Sequence, residues 1–379
     1  MGSSRLQDGD ILQRSMSQLA DEPCSVDDEC PGTRPQRRER TSRAARDIGG
    51  PASYDALMGD IMGKGPPLRA RLAIAILVAC SLGAMPAHAQ DLTPRAYVIT
   101  PLRSNAIVVT DIFNDGDLNF EGTVPIEDAT GTINGVAAGY YRSLGLFGRS
   151  ANVNIVLPYG TGTFDGIVLG SPYTTHRAGL FDIPIRLAVN LIGGPAMEPG
   201  EWVKWRQRTL LGASLKIVIP VGQYDPTKLI NLGSNRWAFK PELGFSHRYD
   251  HWILDAYGAG WFFTKNPEFF SHNPYFAGTR SQTQAPIGIV EMHVSYDVRP
   301  RLWVSLDGNF WYGGETTVSG VENPQTMQRS SRVGVTVSVP LTARQSIKLG
   351  FADGAYARFG GDYRILSVAW QYSWVGRRS

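Results

Sequence analysis

From Val290 to Val298 every second residue is apolar (Val290, Met292, Val294, Tyr296, Val298), and Glu291, His293, Ser295 and Asp297 lie between them. After a reversal at Arg299-Pro300 the pattern resumes with Leu302, Val304, Leu306, Gly308, Phe310 and Tyr312. The opposite face of this second run carries Ser305, Asp307 and Asn309, with Trp303 and Trp311 at its ends. A period of two makes one strand face apolar and the other polar. Each run is about ten residues, the length that crosses a bilayer at about 45° tilt. A lone hairpin is unstable, so the pattern has to recur.

It recurs along the whole chain after Gln90, which reads as twelve strands with no amphipathic helix of ten or more residues. Ala96 to Phe113 and Ile133 to Ser143 are predicted strands whose faces are ambiguous. Asn152 to Pro158 follows, with Val153, Ile155 and Leu157 on one face. The fourth run sets Phe181, Ile183, Ile185, Leu187, Val189 and Leu191 against Asp182, Arg186 and Asn190. The fifth sets Leu211 to Ile219 against Ser214 and Lys216, and the sixth sets Trp237 to Tyr249 against Lys240, Glu242, Ser246 and Arg248. In the seventh, Trp252, Leu254 and Phe262 oppose Asp255 and Tyr257. Beyond the hairpin described above come Val333 to Val339, Ile347 to Phe351, and Leu366 to Trp374.

The connections choose among all-β architectures. Those after strands six, eight and ten are short, around Asp250, Arg299-Pro300 and Pro340 to Arg344. Those after strands five, seven and nine are long: Val221 to Asn235, Lys265 to Ala285, and Gly314 to Arg332. Short turns on one side, long loops on the other and an even strand count are the pattern of a transmembrane antiparallel β-barrel. Ile192 to Gln207 breaks the rule, being long on the short-turn side.

The faces fit a barrel in lipid. Asp182, Arg186, Lys216, Lys240, Glu242, Arg248, Asp255, Glu291, His293 and Asp307 all fall on polar faces. They are therefore the candidates for lining the lumen and the substrate path, because a charge on the lipid side at mid-depth costs about 2–4 kcal/mol. Tyr249, Trp252, Tyr296, Trp303, Tyr312 and Trp374, near strand ends, fit interfacial girdles. Asp182 and Arg186 are four residues apart, about 13 Å along a strand, so each needs a partner on a neighbouring strand.

Composition changes the picture little. A mean hydropathy of −0.16 looks soluble, but alternation averages out the signal of a barrel. A net charge of +3 gives no reason to invoke nucleic acid. The three cysteines are Cys24, Cys30 and Cys80, so the chain from Gln90 has neither disulfides nor a thiolate metal site. Residues 1–61 are rich in Arg, Ser, Asp and Gly without apolar periodicity, and read as a disordered or mis-assigned N-terminal extension. Residues 62–89 read as a signal peptide: Lys64, Arg69 and Arg71, an apolar stretch from Leu72 to Ala84, then Ala87-His88-Ala89 before Gln90. Leu77-Val78-Ala79-Cys80 offers a lipoprotein-type alternative, and the cleaner small-x-small site favours cleavage after Ala89. The barrel then occupies residues 90–379.

No nucleophile elbow, zinc-binding helix, phosphate loop or C-x-x-C pair is present. No cofactor or metal is expected, and the chain reads as a non-enzyme. His293, Glu291, Ser295 and Asp255 could form a binding or acid–base group; a structural network across the lumen wall is the simpler reading.

Gly179-Leu180-Phe181-Asp182-Ile183-Pro184-Ile185-Arg186, Asn190-Leu191-Ile192-Gly193-Gly194-Pro195-Ala196, Pro220-Val221-Gly222-Gln223-Tyr224-Asp225-Pro226 and Asn231-Leu232-Gly233-Ser234-Asn235-Arg236-Trp237 are more specific. Together they resemble the outer-membrane, transporter-like family encoded with meta-cleavage phenol degradation pathways. The resemblance covers most of Gln90 to Trp374. It implies a channel in the outer membrane of a Gram-negative bacterium, assisting uptake of small hydrophobic or aromatic compounds by passive diffusion. Its partners would be outer-membrane lipid, the solute and the barrel assembly machinery, and no nucleic acid. The rival expectations are an outer-membrane enzyme such as a lipid hydrolase, or a structural or adhesive barrel.

Overall fold

The computed structural model describes residues 93–119, 126–168, 170–273 and 277–377. The readings of residues 1–61 and 62–89 lie outside the described residues.

The strands are β1 (Ser104–Asn119), β2 (Ile126–Leu146), β3 (Arg149–Val168), β4 (Ser171–Leu180), β5 (Ile183–Ile192), β6 (Thr209–Ile219), β7 (Ala238–Tyr249), β8 (Trp252–Phe263), β9 (Gln282–Gln284), β10 (Ile287–Arg299), β11 (Leu302–Gly313), β12 (Thr316–Val318), β13 (Val321–Asn323), β14 (Gln328–Pro340), β15 (Gln345–Ala357) and β16 (Gly360–Val375). Among the described residues one short α-helix, α1 (Pro199–Trp202), follows β5, and a 3-10 turn covers Pro324–Thr326. One antiparallel sheet of thirteen segments runs β2-β1-β16-β15-β14-β11-β10-β8-β7-β6-β5-β3-β4, and the β2–β3 pairing closes it. Both β4 and β5 pair with β3, at its two ends. They are two halves of one strand, so the barrel has twelve. A small sheet of β13, β12 and β9 forms within the long loops.

The split between β4 and β5 has a local cause. Between the pairs Ile155–Ile185 and Tyr159–Leu180, β3 advances four residues and its partner five, a one-residue bulge. Pro158 and Pro184 flank it, and neither has an N–H for the ladder. Phe181 N–H closes the gap by donating to the Pro158 carbonyl at 3.0 Å.

The alternation predicts the faces correctly. Along β10, Val290, Met292 and Val294 point outward, Met292 at 62% exposure, while Glu291, His293 and Ser295 are buried, His293 at 1%. Apolar side chains so exposed around a closed barrel belong in lipid, because twelve paired strands leave no backbone edge to hydrate there. On the outside Trp252 tilts against Tyr296 at 4.8 Å, and Trp370, Tyr372 and Trp374 form a ladder up β16.

Some boundaries differ from the sequence reading. The first strand begins at Ser104 rather than Ala96. β2 and β3 run 21 and 20 residues, about twice the 11 of β6. Their extra length lies at the long-loop end and carries polar pairs suited to water: Asp115 with Thr132 at 2.7 Å and Thr163 with His176 at 3.0 Å. The barrel wall therefore stands taller on the β2–β4 side.

Candidate functional site

The short-turn end of the lumen is filled by the chain's own segment before β1. Arg95 N–H donates to Asp255 at 3.1 Å and Ala96 N–H to the Tyr257 hydroxyl at 3.1 Å. The Arg95 guanidinium donates to Asp297 at 2.7 Å, and Arg248 takes the other oxygen of the same carboxylate at 2.7 Å. Tyr97 donates to Glu242 at 2.9 Å, stands edge-on to Tyr257 at 5.4 Å and is 1% exposed. Two glycines make room for its ring: a Cβ on Gly212 would lie 2.1 Å from it, and one on Gly244 2.0 Å.

The connection that broke the loop-length rule holds this segment from below. Leu102 N–H donates to Met197 O at 2.8 Å and Trp202 Nε1–H to Ile99 O at 2.9 Å. Arg103 pairs with Glu198, and Ile99, Met197 and Leu210 bury one another beside Trp205. Residues 193–208 are long because they form the floor of the lumen rather than a turn.

Above the segment lies a charged layer. Arg186 pairs with Glu242 at 3.0 Å; Lys240 bridges Glu242 at 3.0 Å and Glu291 at 2.7 Å. Lys216 sits in register between Arg186 and Lys240. Further round the same wall, on β10, β11 and β14, Asp307 accepts from Ser305 at 2.6 Å, from Thr336 at 2.6 Å, and pairs with His293 Nδ1 at 2.9 Å. Arg186, Lys240, Glu242, Glu291, His293 and Asp307 each have an opposite charge within reach, as desolvated ions require.

The structure thus brings together nine of the ten sequence candidates: Arg186, Lys216, Lys240, Glu242, Arg248, Asp255, Glu291, His293 and Asp307 line the interior. Asp182 does something else. Standing in the β4–β5 break, it accepts from Gly222 N–H at 2.9 Å, Ser234 N–H at 2.8 Å and Ser234 Oγ–H at 2.5 Å. It is the anchor of the 220–237 loop, and the packing there leaves no room for side chains: a Cβ on Gly222 would lie 2.7 Å from Asp182, and one on Gly233 2.7 Å from the Gly222 carbonyl.

Nearer the long-loop end the wall becomes apolar. Ile287, Ile289 and Trp311 are buried against one another, with Ala259, Trp261 and Phe263 beside them. Arg236 from the 220–237 loop stacks on Phe263 at 4.5 Å. These residues were missed by reading only polar positions as lumenal. Their signal was parity: Trp261 and Phe263 continue the face of Asp255 and Tyr257, Ile287 and Ile289 that of Glu291. Trp303 is a correction. It faces the interior, with Arg95 over its ring at 4.4 Å and Lys348 at 5.8 Å, and is not part of an interfacial girdle. It shares the parity of Ser305 and Asp307, and an aromatic at a strand end can serve either side.

The His293–Asp307 pair has the arrangement of a base and its orienting carboxylate. Among the described residues, however, no hydroxyl reaches His293 Nε2; Glu291 Oε2 lies 3.9 Å away. No group of three or more metal-binding side chains occurs among the described residues.

Comparison with known proteins agrees with this architecture. The family described as "Putative MetA-pathway of phenol degradation" matches residues 113–368. The COG4313 outer membrane channel from Pseudomonas putida F1 is similar in fold, with a TM-score of 0.63 at 17% identity over 75% of this chain and 100% of that one. The transport unit of the autotransporter AIDA-I from Escherichia coli (TM-score 0.43, 13% identity, 83% and 100% coverage) is a looser barrel match. So is the TodX monoaromatic hydrocarbon channel, as a deletion mutant (TM-score 0.40, 9% identity, 73% and 91%). Curated proteins gave no match.

Proposed function

We propose, from the premise that this chain belongs to the phenol-degradation MetA-pathway family, that it is a bacterial outer-membrane channel for small hydrophobic or aromatic compounds. The observation that carries the reading is the order of layers inside the barrel. Trp261, Phe263, Ile287, Ile289 and Trp311 offer apolar wall toward the long-loop end. The paired charges and the 93–103 segment occupy the short-turn end. Such a lumen favours an apolar solute over a sugar, because the solute desolvates at little cost and gains contact with aromatic faces. Passage is by diffusion down a gradient, past Arg186, Lys216, Lys240, Glu242, Arg248, Asp255, Glu291, His293 and Asp307 once the segment moves aside. The lipid-facing exterior and the named channel of similar fold support an outer-membrane location. In this reading residues 62–89 direct secretion, residues 1–61 take no part in the barrel, and the barrel assembly machinery inserts residues 90–379.

The test is solute flux into liposomes carrying the refolded chain, comparing toluene with a sugar of similar size. Faster passage of toluene is expected. Equal passage of both would make it a general pore, and passage of neither by a folded barrel would overturn the channel reading.

A further inference from the structure

Arg142 on β2 and Arg344 in the β14–β15 turn are exposed, and neither pairs with a carboxylate among the described residues. The carboxylates at this short-turn end are engaged elsewhere. Glu198 is held by Arg103, Asp297 by Arg95 and Arg248, and Glu201 accepts the Glu198 N–H at 3.0 Å. Asp250 lies beside His251 at 3.7 Å. At the other end of the same wall the outward charges are mainly acidic: Asp111 and Asp115 on β1 and Asp165 on β3, with Arg364 facing Asp115 in register.

The two arginines flank one outward aromatic patch. Asn105 on β1 pairs in register with Arg142 on one side and with Trp374 of β16 on the other. Arg142 shares the outward parity of Tyr140, whose hydroxyl donates to Asn105 at 2.7 Å. From the opposite flank the Arg344 carbonyl accepts the Ser373 N–H at 2.8 Å, and its guanidinium donates to the Tyr372 hydroxyl at 3.5 Å. The Tyr372 and Trp374 rings lie between, 5.8 Å apart. Arg142 stands two strands from Trp374, about 10 Å, and Arg344 one strand from it, about 5 Å. Such rings settle where hydrocarbon meets headgroups, so guanidiniums beside them, toward the turns, lie at the depth of the phosphates.

We infer that Arg142 and Arg344, with the Tyr372 and Trp374 rings between them, bind the headgroup of an anionic phospholipid in the leaflet beside the short turns. The planar guanidinium fork matches phosphate oxygens two at a time, and the ring faces take the lipid's glycerol and upper acyl chain. A zwitterionic lipid brings its own cation to the patch, which the arginines repel; phosphatidylglycerol brings none. The inference rests on the outer-membrane reading, in which the short turns face the periplasm, and adds to it a lipid partner on the outside of the wall.

The refolded full chain is placed in phosphatidylcholine vesicles carrying either dibrominated phosphatidylglycerol or dibrominated phosphatidylcholine. Bromine quenches only nearby rings, so the difference in quenching between the wild type and Trp374→Phe reports lipid at the patch. Phosphatidylglycerol is expected to be favoured about fivefold for each arginine it engages, and less at high salt. Arg142→Gln with Arg344→Gln should remove most of the preference, whereas Arg206→Gln with Arg208→Gln, on the lumen floor, should leave it intact. A preference kept by the folded Arg142→Gln/Arg344→Gln barrel would overturn the site. So would equal quenching by both lipids in the wild type, which would leave the arginines to a soluble acidic partner. Toluene flux into the same vesicles separates the two readings: flux without lipid preference would overturn the lipid site alone, and preference without flux the channel reading alone.

Discussion

The Tyr97 hydroxyl donates to Oε1 of Glu242 at 2.9 Å from a residue 145 positions away in sequence. This bond joins the segment that fills the lumen to the charged layer of its wall. Arg186 completes the join, pairing with the same carboxylate oxygen while its guanidinium lies 5.0 Å from the Tyr97 ring centre.

Because the Tyr97 ring occupies the space that side chains on Gly212 and Gly244 would need, Gly244→Ala should expel it. Overpacking of this kind costs about 1–3 kcal/mol. The expected outcome is a lower urea midpoint together with a larger single-channel conductance. Unchanged conductance in a folded Gly244→Ala barrel would mean that the segment does not limit passage.

The ion bridge Lys240–Glu291 is buried at both ends. Removing one partner strands the other charge, so Lys240→Met should destabilise by about 3–5 kcal/mol. Lys240→Met combined with Glu291→Leu should recover much of that loss, because an apolar pair needs no compensation. Urea unfolding of the two single variants and the double variant measures the coupling; additive losses would contradict it.

Phe263 and Ile287 shape the apolar wall near the long-loop end. Ile287→Asn is expected to lower toluene flux several-fold while leaving sugar flux as it was, since only the apolar solute gains from that wall. Parallel loss of both fluxes would indicate general damage to the barrel.

The 220–237 loop has its own pH dependence. The Thr227 hydroxyl and amide both donate to Asp225, at 2.7 and 2.9 Å, and hold its carboxyl below the usual carboxylate range. A lowered folded-state value means the contribution is complete above the ordinary aspartate range near 4 and is lost as pH falls through the folded value. Limited proteolysis of this loop should therefore quicken in strong acid, and Asp225→Asn should abolish that increase.

Period-two alternation together with the segregation of short and long connections was enough to indicate the barrel and its strand number, and alternation gave the outward face of most later strands, because lipid accepts apolar side chains on one side only. Val290, Met292 and Val294 outside with Glu291, His293 and Ser295 inside could be read directly. Nine of the ten polar candidates fall on the interior face in the folded barrel, since an isolated charge has only the lumen to go to.

What lay beyond the sequence were the relations that pairing across the barrel creates. Asp182 has the parity of Arg186, yet a bulge turns it from a lumen charge into a loop anchor. Trp303 reads like an interfacial aromatic, yet it lies inside on the face of Ser305 and Asp307, under Arg95 of the segment before β1. Tyr97 sits in a stretch that alternates like a strand. Its fate was decided by two glycines more than a hundred residues away, whose missing side chains leave the space its ring fills. Local pattern determines which face a residue takes; the closed sheet alone decides what it meets there.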